Sequence, residues 1–158
     1  MSRREGLVAL REVVPDDLEI FYRQQQDPES NELAKVFPRS RAWFDAHWEK
    51  ALDDPLVIVR TILFDGVAVG KINCFTVMDK TLVGYWIDRS YWSKGIGTRA
   101  LEMFVGMVDS RPLYAQVATG NFGSIRVLER TGFVKISEQE SPETERYAAC
   151  IEAEYKLD

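Results

Sequence analysis

Histidine is almost absent from this sequence: His47 is the only imidazole among 158 residues. That excludes multi-histidine metal sites, and any Ser-His-Asp triad would have to use this one ring. Cysteine is nearly as scarce. Cys74 and Cys150 are too few for a disulfide framework and lack the C-x-x-C spacing of zinc or redox centres, so a reducing, cytoplasmic setting is expected. Long apolar runs are missing too. The longest stretch without Asp, Glu, Lys or Arg covers residues 112–125 and is interrupted by Asn121 and glycines, whereas a spanning helix needs about 20 apolar residues. Near the start, only a few apolar residues separate Gly6 from Arg11, so no signal-peptide core is expected. Positive charge is not in excess either. With 20 Lys and Arg against 25 Asp and Glu, the net charge is -5, which argues against a nucleic-acid binder with its basic stripe. A mildly acidic chain is compatible with cationic substrates, although acidity by itself does not select them.

What remains is an ordinary globular composition, 46% hydrophobic and 28% charged, at a length that fits one domain over residues 1–158. Such a chain buries roughly 70% of the surface it would expose unfolded and needs no disulfide staples. Residues 7–13 read as a strand. Pro15 then suits a first helical position, Asp16 and Asp17 suit the positive end of the helix dipole, and Asp27-Pro28 stops the helix. Residues 29–39 read as a loop with room for a helical turn. Ser40 is a natural N-cap for a second helix through residue 52, where Trp43, Phe44, His47, Trp48 and Ala51 share a face. His47 is accordingly expected to be packed or at a boundary, with a place at a substrate mouth as the alternative.

After Leu56 the period changes to that of strands. Residues 57–64 and 67–77 flank the turn Asp65-Gly66, and Met78-Asp79-Lys80 leads into a third strand over residues 81–88, with a bulge expected at Gly84. An amphipathic helix follows Gly95 with Leu101, Phe104, Val105 and Val108 on one face. Residues 112–119 read as an internal strand, 121–131 as a helix, and 133–139 and 147–157 as two closing strands. The order β-α-α-β-β-β-α-β-α-β-β gives an α+β fold, a mixed and mostly antiparallel sheet of about seven strands with helices on both faces.

The chemistry concentrates at Gly95-Ile96-Gly97, between a strand and a helix. Unpaired amides at a helix start form an anion site with the helix dipole, and glycines allow the backbone close to a phosphate. Lys94 and Arg99 add positive charge on either side. Position 100 is Ala, and the strands before it are antiparallel, so a Rossmann fingerprint is excluded; the spacing excludes a Walker loop as well.

Residues 83–98, with the aromatic pairs Tyr85-Trp86 and Tyr91-Trp92 ahead of the glycines, resemble the cofactor segment of the GNAT superfamily of acetyl-CoA-dependent N-acetyltransferases. The second block, Asn121-Phe122-Gly123-Ser124 followed by a helix ending in Gly132-Phe133, is similar to that of the ribosomal-protein N-terminal acetyltransferase branch. The resemblance implies that acetyl-CoA lies beside Tyr85, Trp86 and Ile87 and that the segment Trp92, Ser93, Lys94, Gly95, Ile96, Gly97, Thr98 and Arg99 holds its pyrophosphate. It implies that a backbone N–H near Tyr85 polarises the thioester carbonyl, that Asn121 binds the cofactor arm, and that Ser124 donates a proton to the leaving thiolate. Asn121 is equally suited to cap its helix, and Ser124 to fill a helix crossing. The acceptor would be a primary amine, on a peptide N-terminus or a small molecule; no metal, nucleic acid or membrane partner is implied, and homodimer formation stays open. A binding module for acetyl-CoA or CoA with little turnover is the alternative.

The departures from the family pattern are specific. Trp92 occupies the position of the family's Gln or Arg, Arg99 stands where the branch usually has Glu, and Leu128 where some members carry an acid tyrosine. Leu82 and Thr81 fall where a basic carboxylate is expected, so no general base is assigned.

Overall fold

Residues 6–158 are described by a computed structural model; residues 1–5, on which the expectation about a signal peptide partly falls, lie outside the described part. Strand β1 (Val8–Arg11) leads into helices α1 (Pro15–Gln24), α2 (Pro28–Ala34) and α3 (Arg41–Asp53), then into the meander β2 (Ile58–Phe64), β3 (Val67–Val77) and β4 (Lys80–Ile87). Helix α4 (Ile96–Met107), strand β5 (Leu113–Ala118), helix α5 (Phe122–Arg130) and strands β6 (Val134–Ser141) and β7 (Cys150–Leu157) complete the chain. One sheet holds all these strands in the order β1-β2-β3-β4-β5-β7-β6. Only β4 and β5 run parallel; the other neighbours are antiparallel. The expected α+β architecture is therefore present.

Both faces of the sheet are covered by apolar side chains. On one, Ile96, Ala100, Leu101 and Phe104 of α4 pack with Ile62, Ile72, Val83 and Leu113. On the other, Phe21, Phe44 and Trp48 of α1 and α3 close over Val59. Burying each of the larger of these side chains contributes about 1.5–3 kcal/mol. Both meander turns use left-handed residues, Asp65 and Gly66 at φ 50° and 83°, Met78 and Asp79 at φ 49° and 67°. Their backbone twist matches that of the flanking strands.

The structure corrects several expectations. Residues 28–34 form the two-turn helix α2 where a loop with room for one helical turn is expected from residue 29, because Pro28 opens a helix that Asp27 caps by accepting from the Ser30 amide (3.2 Å) and hydroxyl (2.6 Å). The helix is too short for an apolar stripe to reveal it. No bulge occurs at Gly84, which keeps register opposite Asn73; the irregularity lies between Ile62 and Leu63, opposite the extra residue Val69 in β3. The final strand begins at Cys150, not at Tyr147, which instead bridges Val36 after α2. That bridge is reinforced by Phe37 N–H donating to Arg146 O (2.8 Å) and Ala148 N–H donating to Lys35 O (2.8 Å). At the far edge, β6 is solvent-exposed along nearly its whole length and breaks register between Lys135 and Ser137.

Asp17 ties β1, α1 and β2 together. Its carboxylate is buried and accepts from Arg11 Nη1 and Nη2 (2.6 and 3.0 Å), from the Val14 amide (2.9 Å) and from Thr61 Oγ1 (2.7 Å). Burial pushes this carboxyl up, but the hydrogen bonds from Arg11, Val14 and Thr61 and the Arg11 charge outweigh it, and the group sits below the usual carboxylate range. Because the folded value is depressed, its contribution to stability is complete above the unfolded value of about 3.9 and is lost as pH falls through the folded value. Asp17→Ala should cost about 2–3 kcal/mol near neutral pH, since buried donors lose their acceptor. Urea unfolding should show the gap to wild type narrowing in acid.

Candidate active site

The parallel pairing of β4 with β5 consists of Thr81 with Leu113 and Leu82 with Tyr114, and goes no further. From Val83 to Ile87, β4 has no strand partner on that side, so its backbone donors and acceptors face an opening. A cavity of about 380 Å³ fills it. Tyr85, Trp86 and Ile87 form one wall, and Trp92, Ser93, Gly95, Ile96, Gly97 and Thr98 form the end. Asn121, Ser124 and Val127 of α5 form the opposite wall.

The loop between β4 and α4 is clipped in place by its own side chains. Asp88 Oδ1 accepts from the Ser90 amide (2.9 Å) and hydroxyl (2.6 Å), and Trp92 Nε1 donates to Ile87 O (2.9 Å). Ser93 (φ 64°) and Gly95 (φ 79°) turn the chain, and Gly95 caps α4 without offering any side-chain acceptor. The first-turn amides of α4 are thus open to an anion. The residues present fit a pyrophosphate at that helix start and an extended amide chain along β4.

Most residues singled out from the sequence meet at this cavity; Lys94 and Arg99 do not line it. Both are exposed, and Arg99 lies 3.5 Å from Glu102. Sequence reasoning missed Arg126 and Arg130, one helical turn apart on α5, which line the cavity and supply the expected positive charge. It also missed the α2 wall of Ser30, Leu33 and Ala34. The signal for that wall was Asp27-Pro28, a helix start as much as a helix stop. Arg89 fastens α2 to the loop through Asp27 (3.0 Å) and Glu29 (3.2 Å).

Ser124 lies on the cavity wall. Its Oγ lies 2.8 Å from Tyr85 Oη, and Tyr85 Oη lies 3.0 Å from the Ser124 carbonyl. Each hydroxyl has one proton. If the phenol donates to Ser124 Oγ, the serine proton is free for the cavity; if it donates to the carbonyl, the serine proton is committed to the phenol. Burial pushes the phenol far up, so Tyr85 stays protonated. Asn121 Oδ1 accepts from the Ser124 amide at 3.4 Å, so it caps α5 while facing the cavity. Of the positions lacking a base, Leu82 is buried and Thr81 Oγ1 is 3.0 Å from Ser110 Oγ. Leu128 is in the core.

Residues 8–134 match the family model described as the acetyltransferase (GNAT) domain. The chain belongs to the GNAT acetyltransferase family. Acetyl-CoA is the acetyl donor of that family. One relative is a probable N-acetyltransferase, YjcK, of Bacillus subtilis (strain 168), 32% identical over 79 residues, a match spanning 45% of this chain and 44% of that protein. Among solved structures, Mycobacterium smegmatis RimJ in complex with CoA-disulfide superposes with a TM-score of 0.76 at 21% identity, over 96% of this chain and 82% of that one. Spermidine N-acetyltransferase from Vibrio cholerae, in complex with CoA and spermine, gives 0.79 at 14% identity, over 94% of each chain. These likenesses show a shared GNAT fold and do not choose between the two proteins' substrates.

Gly97 has a packing role that its place in the motif concealed. A Cβ there would lie 3.1 Å from Val127 Cγ2 and 3.4 Å from Ile87 Cδ1, so the missing side chain lets α4 close on α5 and β4. Gly97→Val should therefore lower stability by about 1–3 kcal/mol even without acetyl-CoA, as overpacking does. Thermal unfolding of the free protein measures this, with Gly97→Ala expected to lose less.

Proposed function

We propose that this chain, acting as a single domain, transfers the acetyl group of acetyl-CoA to a primary amine, on a peptide N-terminus or a small molecule, by direct attack on the thioester. The observation that carries this is the opening beside β4, where unpaired strand backbone, open helix-start amides and the Ser124 hydroxyl share one cavity. The aromatic pairs Tyr85-Trp86 and Tyr91-Trp92 support a place nearer the ribosomal-protein N-terminal acetyltransferases than the polyamine enzymes.

In this reading the amine nitrogen bonds to the carbonyl carbon, a backbone N–H near Tyr85 takes the charge developing on oxygen, and the carbon–sulfur bond breaks. Ser124 passes a proton to the departing sulfur as it receives one released from the new ammonium nitrogen, and Tyr85 orients the serine. Only a neutral amine can attack. Without a carboxylate at Leu82 or Thr81, amines of lower pKa are favoured: a peptide α-amine at about 7.7–8.0 over a lysine side chain at about 10.4. The same two positions support a second reading, a CoA-binding module with little turnover. Thiol release from acetyl-CoA across a panel of amines separates the two.

Lys94 and Arg99 are assigned to cofactor attraction from outside the cavity. Lys94→Gln and Arg99→Gln should each weaken acetyl-CoA binding by about 1 kcal/mol at low salt and less at high salt, as titration calorimetry would show. Ser124→Ala should lower turnover with acetyl-CoA affinity nearly intact. The wild-type rate should rise from about pH 6 to about pH 8 with the amine's own ionisation. A bell centred below pH 7, or full turnover in Ser124→Ala, would contradict these proton transfers.

A further inference from the structure

On the sheet face covered by α1 and α3, beside the β4 wall of the cavity, positive charge gathers without negative charge to match. Lys71 of β3 lies directly opposite Trp86 in the ladder, and Trp86 donates to Gln24 O of α1 (3.3 Å) while lining the cavity. The Lys71 ammonium lies over the Trp48 ring, 5.7 Å from its centroid. Next to it, Trp43 of α3 stacks on His47 (4.8 Å between centroids) and carries the guanidinium groups of Arg39 (4.4 Å) and Arg146 (5.4 Å). Arg146 is held there by the backbone bridge between residues 35–37 and 146–148, directly after the α2 wall.

None of Arg39, Lys71 and Arg146 joins an ion pair among the described residues. Arg39 spends one donor on the Glu145 carbonyl (3.0 Å). Within the described residues the side chains of Lys71 and Arg146 donate to nothing, which leaves an ammonium and a planar guanidinium fork uncommitted. Burial, and then the Arg146 charge, pull the Lys71 ammonium down to about 8. The His47 ring, desolvated on the face that lies on Trp43, is held below its ordinary value by that desolvation first, then by the charges of Arg146, Lys71 and Lys50. In a chain whose acids outnumber its bases 25 to 20, a carboxylate would be the ordinary partner for such a group. Aromatic faces keep the cations flat without neutralising them.

We propose that the acceptor is a small primary amine that also carries an oxyanion, a carboxylate or a phosphate, seated between Lys71 and Arg146 while its nitrogen reaches the opening beside β4. This rests on the amine-acetylation reading above. It disfavours polyamines, whose second ammonium would meet like charge.

The test uses the full chain, acetyl-CoA and aliphatic amines of graded length ending in a carboxylate, a phosphate, a methyl or an ammonium group. At the best length, kcat/KM for a carboxylate or phosphate tail should exceed that of its methyl and ammonium counterparts by about tenfold or more. Lys71→Met and Arg146→Gln should each cut that advantage by about fivefold or more, chiefly through KM, in proteins that keep the thermal shift given by acetyl-CoA. The two tails separate carboxylate from phosphate recognition. Independently of turnover, the N-acetylated anionic product should bind the CoA-loaded wild type by calorimetry and lose affinity in both variants. Ammonium-tailed amines turned over as well as anionic ones, or product binding equal in wild type and variants, would overturn the proposal. Absent acetylation with intact, variant-sensitive product binding would instead overturn the amine reading and leave the anion seat standing.

Discussion

The separation of β4 from β5 is the constraint on which the rest of the molecule is arranged. A parallel pair that stops at Leu82 and Tyr114 leaves strand backbone unpaired inside a folded sheet. Unpaired backbone away from water is costly, so the opening persists only where something else holds the walls apart. Here the walls are fixed by contacts across the gap and around it. The Tyr85–Ser124 hydroxyl pair props α5 against β4, Trp92 pins the loop to Ile87, and Arg89 binds that loop to α2. The short α4 start, capped by a glycine with nothing to offer its amides, faces the same opening.

Features that rest on local chemistry were legible in the sequence. The Asp65-Gly66 turn, the Ser40 cap and the Gly95-x-Gly97 loop each use residues chosen for a backbone conformation or an unpaired amide, and each appears where the sequence places it. The meander and, apart from α2, the order of elements followed from hydrophobic period and turn residues. Less was legible where a residue's role depends on a distant neighbour. Asp17 looked like a helix-dipole acid, and its link to Thr61 exists only once β2 lies beside α1. Gly97 looked like room for a phosphate, yet its tightest neighbours are Val127 and Ile87. His47 sat on an apolar stripe but is exposed, its ring lying on Trp43 beside Arg146.

Charge shows the same limit more sharply. A net charge of -5 describes the far field and the solubility of the chain, not the potential at one mouth. Several acids are engaged elsewhere, as with Asp17 on Arg11, Glu154 on Lys80, and Asp27 and Glu29 on Arg89. The cations around Trp43 and Trp48 come from residues 39, 71 and 146, which the loops and β3 bring together from across the sequence. No count over the chain could have revealed that grouping.

The outer strand β6 has a consequence of a different kind. A strand at the rim of a sheet displays a row of free amides and carbonyls on which another chain can grow. In β6 the register break between Lys135 and Ser137 and the charges of Lys135, Glu138 and Glu140 spoil that row, and at the opposite rim β1 is only four residues long. Both margins of the sheet are therefore poor templates for amyloid-like growth, which works against its strands recruiting those of another copy.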